Sequence, residues 1–200
     1  MSRGSAGHGA ELPDELAVLV ERVGRSTVEI VSWNGRGLGA GVIWEGGIVI
    51  TNAHVVSAGE AEVCLPGGDA LPARVIALHE SRDLAALQLR RGAAGLLAAE
   101  AGDSDALRPG ELVLALGHPW GLRAQASLGV VHRASVPGAG GRRWIEADVR
   151  LAPGNSGGPL ADARGRVVGI NTMVAHGLAL AVPSRAVSRF LRGARLAPAA

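Results

Sequence analysis

A serine surrounded by glycines lies in the most distinctive segment of this 200-residue sequence. Residues Gly154–Pro159 read GNSGGP, with Ser156 at the third position. Glycine permits backbone angles and close approaches that other residues resist, and main-chain N–H groups beside a nucleophile can stabilise the oxyanion of a tetrahedral intermediate. A shorter Gly-x-Ser-x-Gly match would be an ordinary loop in most chains. The longer GNSGGP run favours Ser156 as a nucleophile.

A serine hydroxyl is a weak nucleophile on its own, so a general base is required. His54 follows the apolar run Ile48–Thr51, and the end of a strand holds a side chain rigidly while leaving it open to a cleft. We therefore predict His54 as the base. The other histidines lie in the N-terminal segment or in settings without distinctive neighbours: His8, His79, His118, His132 and His176.

The base in turn needs a carboxylate that fixes its tautomer and stabilises the imidazolium. Asp83 immediately precedes the apolar run Leu84–Leu89 and lies between His54 and Ser156 in the chain. The resulting order, His then Asp then Ser, is that of trypsin-like enzymes and differs from the subtilisin and α/β-hydrolase orders. Asp148 is the alternative carboxylate, although we expect it to be structural.

Short apolar segments separated by glycine turns predict an all-β chain. The sequence contains 30 glycines and 10 prolines. One short helix is expected from about Pro13 to Gly24, and a second is expected after a cap at Pro183-Ser184. Strands are expected at residues 27–31, 39–44, 48–51, 61–65, 73–79, 85–89, 112–117, 124–132, 144–148, 159–161, 167–172 and 178–182.

The same pattern divides the chain into three parts. Residues 1–12 are predicted to form a flexible tail, residues 13–100 the first helix and a first β-barrel, and residues 101–200 a second β-barrel and the closing helix. The Ala/Gly-rich stretch 92–106 is interpreted as the link between the two halves. His54 and Asp83 then belong to the first barrel and Ser156 to the second.

The sequence resembles the protease domain of the HtrA/Deg family of serine proteases. The matching stretches span nearly the whole chain: residues 51–56, 83–85, 117–121, 153–160, 169–172 and 177–184. The resemblance implies a trypsin-like fold of two perpendicular, six-stranded, antiparallel Greek-key barrels with the active site between them. It also implies polypeptide substrates and no cofactor or metal.

The resemblance gives a role to each matching position. His54, Asp83 and Ser156 correspond to the family's catalytic triad, and the main-chain N–H groups of Gly154, Asn155 and Ser156 correspond to its oxyanion hole. The family's specificity pocket corresponds to three apolar residues, Leu151, Val174 and Leu178. They imply cleavage after small or medium aliphatic residues, unless they are simply core residues.

The sequence departs from the family pattern at several places. It has no residues after Ala200 for a PDZ domain, a short loop at Asn34–Arg36, and no aromatic residue before Trp33. Relatives use such aromatics to form trimers, so monomer and trimer both stay open. Asn155 stands where trypsin-like zymogens carry an aspartate, so activation by an ion pair with a new N-terminus is not expected.

Composition excludes several other classes of protein. The formal net charge is only +2 and the arginines are dispersed, which argues against nucleic-acid binding. Cys64 is the single cysteine and is expected to be a small buried hydrophobe without a disulfide. No signal-peptide core or membrane-spanning run is found, so a cytoplasmic location is expected.

Three functions remain to be compared. The first is a serine endopeptidase acting on unfolded or damaged proteins. The second is a non-catalytic chaperone or peptide-binding module that retains the protease fold. The third is an esterase of another fold, which the order of the triad and the strand-rich pattern disfavour.

Overall fold

The computed structural model describes residues 11–32, 38–56, 59–90, 95–118, 125–138 and 141–194. Residues 1–10 of the predicted tail, the Asn34–Arg36 loop and residues 119–121 of one matching stretch lie outside these ranges. The helices are α1 (Glu11–Gly24) and α2 (Ser184–Gly193). The strands are β1 (Thr27–Ser32), β2 (Leu38–Ile43), β3 (Ile48–Thr51), β4 (Glu60–Cys64), β5 (Ala70–His79), β6 (Leu84–Leu89), β7 (Leu112–Gly117), β8 (Gln125–Pro137), β9 (Arg143–Asp148), β10 (Pro159–Asp162), β11 (Val167–Ala175) and β12 (Leu178–Pro183).

These strands form two closed barrels of six strands each. The first barrel has the order β1-β2-β3-β6-β5-β4, and the second has the order β10-β11-β12-β9-β8-β7. The strand pairs within both barrels are antiparallel, and closure leaves no unpaired sheet edge. The predicted fold class, two six-stranded antiparallel barrels with short terminal helices, is confirmed. Each predicted strand has a counterpart whose bounds differ mainly at the ends.

Burial patterns explain how the barrels pack. In β4, Ala61 and Val63 point inward while Glu60 and Glu62 are exposed, which is the two-residue period of a half-buried strand. β3 is buried at every position. Val49 packs inside the first barrel, whereas its neighbours Ile48 and Ile50 belong to a cluster shared by both barrels. β3 therefore lies at the junction between the barrels.

The shared cluster joins the two barrels and α2 into one core. It includes Ile50 and Leu84 from the first barrel, Ile170 and Val182 from the second, and Phe190 from α2. Because these apolar side chains are covered only when the barrels and α2 meet, the cluster fixes how the two halves are positioned. Elements at this junction can therefore combine residues from both barrels into one site.

The packing of α1 does not follow the predicted division of the chain. Leu19 and Val23 of α1 pack against Leu114, Leu116 and Ala161 of the second barrel, although the sequence assigns α1 to the first half. The boundary at residue 100 stays a prediction. Within the described ranges, neither helix is long and apolar enough to cross a bilayer.

Two smaller expectations require correction. The predicted cap of α2 at Pro183-Ser184 lies at Pro183, which holds the N-cap position, but neither residue forms a side-chain cap bond. The Ser184 hydroxyl instead donates to the carbonyl of Gly102, 2.7 Å away, and so ties α2 to the segment between the barrels. Cys64 lies on β4 as expected, but it is half-buried rather than fully buried.

Candidate active site

His54 lies just beyond the buried strand β3. A short 3₁₀ turn, Ala53–Val55, follows Asn52 and buries Ala53 and Val55. The His54 side chain between them remains 49% exposed. The main chain of His54 is therefore anchored on both sides while its imidazole faces solvent, as expected for a strand-end base.

Asp83 is held by an unusual backbone conformation. It follows the 3₁₀ turn Glu80–Arg82 with φ 54° and ψ 49°, the left-handed region that aspartate tolerates better than most residues. Its side chain is 11% exposed. This bend turns the carboxylate inward at the point where β6 begins, beside β3.

The imidazole and the carboxylate are in direct contact. Nδ1 of His54 lies 3.0 Å from Oδ1 and 2.9 Å from Oδ2 of Asp83, and the main-chain N–H of His54 also donates to Oδ1 at 3.1 Å. Because an ionised carboxylate only accepts hydrogen bonds, Nδ1 carries the proton and Nε2 is left to accept one. Asp148, the alternative carboxylate, is exposed at the end of β9.

The Ser156 loop is clamped against the first barrel. The carbonyl of Ser156 accepts a hydrogen bond from the Ala40 N–H at 2.8 Å. Gly157 has φ +85°, and a Cβ at that position would lie 2.1 Å from both the Ala40 carbonyl and Thr51 Oγ1. Glycine is therefore required at 157 for both its conformation and the close approach. This contact places the Ser156 loop beside β2 and β3, and His54 follows β3 in the chain.

The hydroxyl of Ser156 is bonded to the second barrel. It donates to the carbonyl of Thr172 on β11 at 2.9 Å. Within the described part of the chain, the hydroxyl forms no hydrogen bond with His54. The structure thus forms the His54–Asp83 pair directly and places the Ser156 loop beside it, with the hydroxyl turned toward Thr172.

The main-chain N–H groups of Gly154 and Ser156 differ from that of Asn155 in their hydrogen bonding. The Asn155 N–H donates to the Ala152 carbonyl at 3.0 Å and closes a turn, and Gly154 adopts φ +101° within that turn. Among the main-chain hydrogen bonds of the described residues, none is donated by Gly154 or Ser156. Of the three N–H groups predicted for the oxyanion hole, only that of Asn155 therefore donates to a main-chain acceptor among the described residues.

Asn52 and Thr172 support the site, although sequence reasoning assigned a role to neither residue. Asn52 is fully buried, and its Nδ2 donates to the Asp83 carbonyl and to Thr172 Oγ1, each at 2.9 Å. One side chain therefore connects β3, the Asp83 turn and β11. Both residues lie in stretches that match the family, but their partners become apparent only when the barrels are brought together.

Replacing Asn52 by alanine is expected to destabilise the fold by about 2–3 kcal/mol, because two buried acceptors lose their donor. Urea unfolding would measure this change. The control is Gln125→Ala, an exposed position where a change within about 0.5 kcal/mol is expected. Equal midpoints for the two variants would contradict the bridging role of Asn52.

Comparison with known proteins assigns this arrangement to a family. The family described as trypsin-like peptidase domain matches residues 39–170. This range contains His54, Asp83 and Ser156, the three residues of the site. The chain belongs to the trypsin-like peptidase family.

The relatives of this peptidase domain bear serine protease names. It is 37% identical over 170 residues to human serine protease HTRA3, covering 76% of this chain and 37% of that protein. It is 38% identical over 159 residues to HhoB of Synechocystis sp., also named as a serine protease, covering 74% of this chain and 38% of the relative. The chain therefore spans little more than a third of the length of these relatives.

Solved structures agree with the sequence relatives. The HtrA-type protease AlgW, in a structure described as containing a tripeptide, superposes with a TM-score of 0.81 at 28% identity and covers 88% of this chain and 62% of that chain. The structure of AlgW with a decapeptide gives a TM-score of 0.79 at 25% identity, covering 90% of this chain and 67% of that chain. The resemblance to the HtrA type is confirmed.

The three residues predicted for the specificity pocket lie close to the site in the chain. Leu151 is partly buried against the core of the second barrel and immediately precedes the Ala152–Asn155 turn. Val174 is 52% exposed on β11, just beyond Thr172. Leu178 is half-buried and pairs with Ala175. Their role in selecting substrates stays a prediction.

Proposed function

We propose that this protein is a serine endopeptidase that hydrolyses peptide bonds in unfolded or damaged proteins, with His54, Asp83 and Ser156 as its triad. The observation that carries the proposal is the Nδ1–carboxylate contact between His54 and Asp83 at 2.9 Å. This pair lies at the barrel junction to which the Ser156 loop is bonded. The serine protease names of the relatives support the same chemistry.

Acylation begins when the Ser156 hydroxyl rotates from Thr172 toward Nε2 of His54. Nε2 takes the proton while Oγ bonds to the carbonyl carbon of the substrate, and Asp83 stabilises the imidazolium that results. His54 then returns the proton to the amine as the peptide C–N bond breaks. Water repeats the sequence on the acyl-enzyme, which releases the new carboxylate and restores the Ser156 hydroxyl.

The developing oxyanion requires N–H donors that are already in position. Gly154 and Ser156 are proposed as these donors. Asn155, whose N–H already closes the turn with Ala152, contributes by fixing the loop rather than by donating to substrate. This assignment reduces the number of N–H donors in the oxyanion hole to two, whereas three were expected from the sequence.

Extended polypeptide is the proposed substrate form. The solved AlgW structures are described as containing a tripeptide and a decapeptide, and an open chain presents its carbonyls to a cleft more readily than a folded protein does. Leu151, Val174 and Leu178 are proposed to form the apolar walls that receive a small or medium aliphatic side chain before the cleaved bond.

Shortening Leu151 to alanine is expected to shift cleavage toward bulkier side chains while the rate on the best substrate stays within about tenfold. The reason is the volume of the pocket, since a difference of one methylene in its fit changes the free energy that discriminates between substrates by about 1–3 kcal/mol. Sequencing the peptides released from casein by both proteins measures the shift. Leu128→Ala, at a position 46% exposed, is the control, and identical cleavage profiles would place Leu151 in the core alone.

A second function is favoured by one observation. The Ser156 hydroxyl is bonded to the Thr172 carbonyl, an arrangement that also suits a peptide-binding or chaperone module without catalysis. Incubating unfolded casein with the protein separates the two functions. The endopeptidase proposal predicts internal cleavage with new termini, whereas suppressed casein aggregation without new termini would support the non-catalytic module.

A further inference from the structure

A cavity of about 220 Å³ lies away from the serine loop, where three separate segments of the chain converge. The turn that precedes Asp83 supplies Arg82, the β8–β9 hairpin supplies Arg142 and Arg143, and α2 supplies Arg189. Its remaining lining is neutral and includes Trp144. We call this cavity the arginine pocket.

The four arginines of the arginine pocket form no ion pair with a carboxylate of the described residues. Its described lining contains no Asp or Glu. Among the residues that the structure describes, the arginines that form ion pairs with carboxylates all lie elsewhere: Arg90, Arg108, Arg133, Arg166 and Arg185. Four arginines therefore line one small cavity in a chain whose formal net charge is +2. An anion bound among them would reduce the repulsion between these like charges.

Two of these side chains are already positioned. The guanidinium of Arg142 lies over the Trp144 ring, 6.0 Å from its centroid, a distance at which the ring attracts the cation. The Nε of Arg142 is buried without a hydrogen-bond acceptor among the described residues. Arg143 donates its Nε to Ser135 Oγ at 2.5 Å. Stacking and hydrogen bonding thus hold the two guanidinium groups while Arg142 still lacks an acceptor for a buried donor.

We propose that the arginine pocket binds a compact phosphate-bearing anion. The planar guanidinium fork matches the spacing of phosphate oxygens and donates two parallel hydrogen bonds to them. A single carboxylate carries one charge, whereas a diphosphate carries several within a volume that this cavity accommodates.

The pocket is separate from the proposed catalytic chemistry in its residues. Arg82 precedes Asp83 in the chain, but none of the four arginines belongs to the triad or the oxyanion loop. Binding is therefore expected to survive Ser156→Ala, and using that variant also prevents self-cleavage during long titrations. Failure of the endopeptidase proposal would leave this binding intact, so the two proposals are tested independently.

The test is isothermal titration of the full chain with inorganic pyrophosphate at fixed ionic strength. Saturable binding at one site is expected. The double variant Arg142→Gln/Arg189→Gln should bind pyrophosphate about tenfold or more weakly, because each substitution removes charge-assisted hydrogen bonds. The control is Arg164→Gln/Arg192→Gln, which removes the same charge at exposed positions outside the pocket.

The outcomes separate a built site from general charge attraction. Loss of binding in the pocket variant with parental affinity in the control supports the proposal. Equal weakening in both variants, or no saturable binding by the parent, overturns it. If the double variant has a lowered unfolding midpoint, the single variant Arg189→Gln replaces it, because Arg189 is exposed on the helix. Parental affinity for pyrophosphate in that single variant also counts against the proposal.

Discussion

Replacing Ser156 by alanine is expected to lower the rate of casein hydrolysis by about 10⁴-fold or more. The variant lacks the oxygen that bonds to the substrate carbonyl, so acylation cannot occur, and only the binding and oxyanion contributions to catalysis remain. The loss should appear in kcat, because the residues that bind the peptide are unchanged. Initial rates of peptide release from labelled casein would measure it.

The fold should survive this change, because the hydroxyl contributes a single hydrogen bond to Thr172 and little volume. Ser188→Ala on α2 is the matched control, since it removes the same hydroxyl far from the site and should keep the parental rate. Both variants should retain urea midpoints near that of the parent. A Ser156→Ala protein that keeps a tenth of the parental rate would show that another residue attacks the substrate.

Replacing Asp83 by asparagine is expected to lower kcat by about 10⁴-fold while KM changes little. An amide can donate to Nδ1 of His54 where the carboxylate can only accept. The ring proton then moves to Nε2, and His54 can no longer take the proton of Ser156. Hydrolysis rates over a range of peptide concentrations would separate kcat from KM.

Asp148→Asn is the matched control for this change. Asp148 is exposed at the end of β9, so the same loss of charge there should leave kcat close to the parental value. The opposite outcome, with Asp148→Asn inactive and Asp83→Asn active, would mean that Asp148 orients the base. The 2.9 Å contact between Asp83 and His54 would then be structural alone.

Much of the fold could be predicted because local patterns determine strands. The alternation along β4 and the fully apolar β3 define each strand without reference to its partners. Helix packing could not be predicted in this way. The apolar face formed by Leu19 and Val23 shows that α1 needs a partner, but not that this partner is β7 of the second barrel.

The candidate site shows the same limit. The GNSGGP segment and the residues beside His54 and Asp83 point to chemistry because each is distinctive on its own. The bridge from Asn52 to Thr172 and the bond from the Ala40 N–H to the Ser156 carbonyl connect residues of different barrels. Such contacts depend on how the barrels meet at the shared cluster. The arginine pocket likewise combines three distant segments, and only Arg142 and Arg143 of its four arginines are neighbours in the sequence.

In the proposed mechanism, His54 activates Ser156 for attack on a carbonyl. The most direct test is labelling with a fluorophosphonate probe, followed by mass spectrometry of the digested protein to locate the adduct. An activated serine is expected to react at Ser156 alone, with labelling lost in Ser156→Ala and strongly slowed in Asp83→Asn. A parent protein that stays unlabelled while its fold is intact, or that carries the adduct at another residue, would contradict the role of Ser156 as the activated nucleophile.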